Sequence, residues 1–127
     1  MPRVQFDETD FLRGKIVAPN WYVVRVDNCE EKLSKDGGST NYVMEGTIMQ
    51  GADGSHDYDG VPIVWNFNSK AKGFIIGYLQ ALGVDPKPGQ GINLEASIGK
   101  TLQIYVENKT YEGRILNNVN HKYKPAE

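Results

Sequence analysis

The sequence is short of cysteine, of long apolar runs and of any large excess of charge, and each shortage excludes something. A single cysteine, Cys29, among 127 residues rules out an internal disulfide and gives no sign of an oxidising compartment. No apolar stretch approaches the ~20 residues of a membrane helix, so no membrane association is expected. The opening MPRVQFDETDFLRG is polar and acidic, unlike a secretory signal. A cytoplasmic protein is the expectation. Histidine is scarce as well: His56 and His121 stand far apart and match no zinc spacing with one cysteine.

Motifs for chemistry are equally thin. Gly99, Lys100 and Thr101 end like a phosphate-binding loop, but position 94, where its first glycine belongs, is Leu94, and the stretch precedes a strand instead of opening a helix. GQGINL begins like a dinucleotide fingerprint, yet Leu94 takes the place of its third glycine. The run from Ser55 fails as a calcium loop, with serine first and Asn66 twelfth. Nothing local makes Cys29 a nucleophile, and it reads as an inert strand residue. No catalytic constellation emerges. A non-enzymatic protein without cofactor or metal is expected.

What is present suits one globular domain: 39% apolar and 24% charged residues. The net charge of −2 hides an asymmetry. Residues 1–59 carry six Lys/Arg against eleven Asp/Glu, whereas residues 60–126 carry eight against four.

Residues 1–18 lack a clear period and read as an N-terminal arm, with the domain proper over 19–127. WYVVRVDNC alternates with Tyr22, Val24 and Val26 on one face, as a first strand should. SKDGGST is a turn-forming loop, NYVMEGTIMQ a second strand, and VPIVWNFN a third with Pro62 near its start. From Ala71 to Leu82 the period becomes helical through Phe74, Ile75, Tyr78, Leu79 and Leu82. Ser69 is the expected N-cap and Gly83 the expected terminator. LEASIG reads as one further helical turn. A fourth strand over Thr101–Asn108, a short NKT loop, a fifth strand over Tyr111–Val119 and a trailing HKYKPAE complete the chain. The fold class is therefore all-β with one helix. Five strands with the helix between strands three and four is the layout of an OB-fold barrel, and other small barrels with one helix stay open.

The chemistry that remains is an interleaving of rings, amides and cations. Tyr42, Trp65, Phe67, Tyr105, Tyr111 and Tyr123 lie near Lys35, Lys70, Lys72, Lys109, Arg114, Lys122 and Lys124. Single-stranded nucleic acid calls for this pairing, since unstacked bases need planar partners and phosphates need cations. Asn41, Asn66, Asn68, Asn117 and Asn118 add amides for base edges or backbone. For Trp65 and Phe67 two readings stay open, an exposed stacking pair or barrel interior.

WYVVRVDNCEEKLSKDGGSTNYVMEG, WNFNSKAKGFIIGYLQALGV and LEASIGKTLQIYVENKTYEGRILNNV resemble segments of small OB-fold single-stranded DNA-binding proteins of tailed bacteriophages. The resemblance covers about residues 19–123. It implies sequence-tolerant binding of single-stranded DNA in phage replication, recombination or repair, inside the bacterial host. Carried over, it implies a site of Lys32, Lys35 and Tyr42 around the first loop and Trp65, Phe67, Lys70 and Lys72 after strand three. Tyr105, Lys109, Tyr111 and Arg114 would complete it on the last two strands. Bacterial single-stranded DNA-binding proteins end in an acidic, partner-recruiting tip, whereas this sequence ends HKYKPAE. RNA binding by the same surface, or a protein-interaction barrel joining phage replication or virion proteins, are the alternatives.

Overall fold

The computed structural model describes residues 2–7, 11, 12 and 14–126. Among them run β1 (Asn20–Leu33), β2 (Thr40–Gly51), β3 (Pro62–Asn68), α1 (Lys72–Ala81), a 3-10 turn (Leu94–Ser97), β4 (Thr101–Tyr111) and β5 (Arg114–Pro125). All strand pairs are antiparallel, and one five-stranded sheet results in the order β3-β2-β1-β4-β5. The mostly-β fold with a helix between strands three and four is as expected. The sheet is not closed by hydrogen bonds: β3 and β5 are its two edges.

Period-two patterning builds the core. Tyr22, Val24 and Val26 of β1 face Leu102, Ile104 and Val106 of β4 on the inner side, joined by Ile63, Trp65 and Phe67 of β3. From the other side α1 contributes Tyr78, Leu79 and Ala81. The Tyr78 hydroxyl donates to Ser97 Oγ at 2.8 Å, and Ser97 donates to the Leu94 carbonyl at 2.6 Å. This chain of hydrogen bonds ties the helix to the 3-10 turn. Burial pushes the Tyr78 hydroxyl pKa up to about 12, so it stays a donor.

One glycine is a geometric necessity. A Cβ on Gly46 would sit 2.6 Å from Val24 Cγ1 and 2.7 Å from the Arg25 carbonyl oxygen. Two irregularities in the β1–β2 register, at Val23/Val24 and Val26/Asn28, curl the ribbon there, and the two backbones approach too closely for a side chain.

Rings span the gap between the edges. Phe67 of β3 lies 6.0 Å from Tyr123 and 5.5 Å from His121 of β5, centroid to centroid. His121 is also stacked on Phe74 of α1 at 4.3 Å and 17°, and its positive φ of 55° marks a kink in β5. The helix packs mainly on β5 and touches β3, so it covers this seam.

Several boundaries differ from the sequence reading. Ser69 does not cap α1: the N-cap is Ala71 with no side-chain bond, while Ser69 Oγ accepts the Thr40 N–H at 3.0 Å. Gly83 terminates the helix at φ 84°, as expected. Asn108, Lys109 and Thr110 do not form a loop. They continue β4, and the hairpin turns at Glu112 and Gly113, both at positive φ, the geometry that two-residue hairpin turns require. The segment His121–Pro125 belongs to β5. The arm is also partly docked. Val17 is in the core, and its N–H donates to Asn117 Oδ1 at 3.0 Å. Asn108 Nδ2 donates to the Val17 carbonyl at 2.9 Å and Asn117 Nδ2 to the Lys15 carbonyl at 2.8 Å.

Candidate nucleic-acid interface

The pleat decides where the expected residues go. In β3 the odd positions point inward, leaving Trp65 at 3% and Phe67 at 1% exposure. Their role as stacking rings is therefore corrected: both pack against Tyr78, and a base cannot reach them without opening the core. Tyr42, opposite Phe67 in the register, is half-buried and lines an inner-side cleft instead of the outer face.

The cations at the first loop are exposed. Lys35 occupies the β1–β2 loop, Lys70 the turn after β3, and Lys72 the first turn of α1. That loop is stitched to the turn: Asn68 Nδ2 donates to Ser39 Oγ at 3.0 Å and Asn41 Oδ1 at 2.9 Å, and the Ser69 N–H donates to the Thr40 carbonyl at 2.9 Å. Lys32 stands beside them on β1, 3.7 Å from Glu30. This end of the sheet offers charge without an outward ring from the expected set. The cleft next to it, about 590 Å³, has Cys29, Glu31, Ile75 and Leu79 among its walls. Burial, with help from Glu95 and Glu31, pushes the Cys29 thiol upward, which suits an unreactive thiol.

The outer side of β1, β4 and β5 is different. Along β4 the inward residues Leu102, Ile104 and Val106 are fully buried, so Gln103, Tyr105, Glu107, Lys109 and Tyr111 form the outward stripe. Trp21 of β1 pairs with Tyr105, edge to face at 5.6 Å. Ammonium groups of β5 cap both rings, Lys124 Nζ 4.2 Å from the Trp21 centroid and Lys122 Nζ 5.3 Å from that of Tyr105. Farther along, Tyr111 lies opposite Arg114 and Lys109 opposite Leu116, so Lys109, Tyr111 and Arg114 share that face of the hairpin. The structure thus brings four expected residues, Tyr105, Lys109, Tyr111 and Arg114, into one stripe and adds Trp21, together with Lys122 and Lys124, which the sequence lists among its nearby cations but the resemblance leaves out of the site. Both lysines alternate with the inward Tyr123, a strand signal within HKYKPAE.

On the β2–β3 half the outward positions hold Asn41, Val43, Glu45, Val64 and Asn66. Between the halves, Arg25 is engaged by Asp27 at 2.8 Å, and Thr47 also donates to Asp27. Burial pulls the Asp27 carboxyl up, but these hydrogen bonds outweigh it and hold the group below its ordinary range.

Among the described residues no group of three or more His, Cys, Asp or Glu side chains is placed to hold a metal ion. Nor does any described helix have the length and apolarity to cross a membrane. No protein-family model matches the chain, and no curated protein is similar to it at a significant level.

Proposed function

We propose that the protein is a sequence-tolerant single-stranded DNA-binding module of the OB type, acting in phage DNA replication, recombination or repair, with its site on the outer face of β1, β4 and β5. Three features support the OB reading. The strand order is that of a five-stranded barrel cut between β3 and β5, the rings of Phe67 and Tyr123 meet across the cut, and the helix follows strand three. OB folds are often partly open. The observation that carries the binding reading is the Trp21–Tyr105 pair beneath Lys122 and Lys124. A ring and a cation at one point answer a base and its phosphate together. From Tyr105 to Tyr111 is six residues, roughly 20 Å of strand, which gives several successive nucleotides a common track. Lys35, Lys70 and Lys72 then extend the positive field at the first loop.

Tryptophan fluorescence during titration with oligo-dT tests this. Trp21 is outside and Trp65 inside, so quenching is expected in the native chain and is expected to vanish in Trp21→Phe. Binding that is absent at low salt, or insensitive to salt, overturns the reading.

A further inference from the structure

One residue of the outward stripe on β4 does not suit a phosphate track. Tyr105, Lys109 and Tyr111 answer bases and phosphates, but Glu107 stands between Tyr105 and Lys109. A carboxylate there repels phosphate, so the backbone of a bound strand has to pass it at a distance. The other charged side chains on the β4–β5 part of this face, Lys109, Arg114, Lys122 and Lys124, are cations. The second carboxylate of the hairpin, Glu112, belongs to its turn. Among the described residues no cation lies within ion-pair distance of Glu107.

The hydrogen-bond partner of Glu107 is Asn118, directly across the ladder on β5. Asn118 Nδ2 donates to Glu107 Oε1 at 3.5 Å, longer than an ordinary hydrogen bond. The contact orients both groups and saturates neither: the carboxylate keeps open lone pairs and the amide a second N–H. Both residues are half-buried, held at the surface without being closed off from a ligand. Glu107 is two residues from Tyr105, roughly 7 Å along the strand, so the neighbour of a base stacked at Tyr105 reaches the pair.

The pair offers one amide donor beside two carboxylate acceptors. Among the four bases, guanine alone carries the complement on its Watson–Crick edge: the acceptor O6, then the donors N1–H and N2–H. Thymine and cytosine end that edge on the O2 carbonyl, and adenine offers one donor beside the N1 lone pair. Each would set a lone pair against a carboxylate oxygen. We propose that Glu107 and Asn118 read guanine at one position of an otherwise sequence-tolerant track. The inference rests on the single-stranded DNA reading and adds one base to it.

Competition against labelled oligo-dT, read as anisotropy, tests this with alternating d(TG), d(TA) and d(TI) strands of one length, where I carries hypoxanthine. The full chain is expected to bind d(TG) roughly tenfold more tightly than oligo-dT, the worth of a bidentate base contact. The d(TA) strand controls for purine stacking and should show no such gain. Hypoxanthine lacks the N2 amine, so d(TI) should lose most of it. Glu107→Gln replaces one acceptor by a donor and should erase the preference, while oligo-dT binds more tightly because a charge facing phosphate is gone. Asn118→Ala should lower the preference without erasing it. Equal affinity for d(TG) and d(TA), or a preference that survives in Glu107→Gln, overturns the inference and leaves the DNA reading intact as long as oligo-dT binds. Oligo-dT that fails to bind overturns both.

Discussion

The two halves of the outer sheet face share one pleat and one set of hydrogen-bond ladders, yet they differ in chemistry. On β1, β4 and β5, rings lie under ammonium groups: Trp21 with Lys124, Tyr105 with Lys122. On β2 and β3, Asn68 bonds Asn41 and Ser39, and farther along the strands the outward positions hold Glu45 and Val64. Among the described residues, Lys122 and Lys124 of the first arrangement face rings and no carboxylate lies within ion-pair distance of either. The second spends its polar groups on stitching the loop to the turn after β3. The half proposed to bind nucleic acid and the half that holds the loops are thus chemically distinct parts of one sheet.

The largest effect should separate the two tryptophans. Trp65→Ala is expected to cost roughly 3–5 kcal/mol of folding stability while the folded fraction keeps its affinity for oligo-dT; denaturant unfolding alongside a binding titration measures both. Trp21→Ala should show the reverse, with roughly 1–3 kcal/mol lost from binding and little change in melting temperature. If Trp21→Ala binds like the native chain, the contrast between the two halves collapses.

Charge gives a smaller and graded test. Lys122→Ala with Lys124→Ala should lower the slope of log affinity against log salt by roughly 0.7 for each phosphate that is no longer neutralised. Lys35→Ala should lower it by one such step at most, and Asn66→Ala not at all. Equal slopes for the two lysine sites would move the centre of binding to the first loop.

The smallest effect belongs to the seam that joins the halves. Burial beside Phe67 and Phe74 lowers the His121 pKa, so protonation is easier in the unfolded chain. The stability contributed by neutral His121 is fully present above its ordinary pKa of about 6.5 and declines as pH falls below that value. Melting temperature should therefore drop between neutral and mildly acidic pH, and His121→Gln should flatten that part of the profile.

The core was readable wherever alternation was uninterrupted, as with Tyr22, Val24 and Val26 or Leu102, Ile104 and Val106. The facing of β3 was readable as well, because Asn66 and Asn68 flank Phe67 and belong outside, but the appeal of paired rings concealed it. The end of β5 was harder. Between Ile104 and Val106 the register slips, and β5 advances from Val119 to Tyr123 while β4 advances only two positions. This irregularity breaks the period just before Lys122 and Lys124, so a strand resembles a tail. The link between Trp21 and those lysines spans about a hundred residues of sequence and leaves no local trace.

The two asparagines at the base of the hairpin impose different freedoms on the segments they join. Asn108 and Asn117 hold the arm through its main-chain groups at Lys15 and Val17, so the hold does not depend on which side chains the arm carries there. In a set of diverged chains, positions 15 and 16 should drift freely, position 17 should keep its apolar volume, and 108 and 117 should change together or not at all.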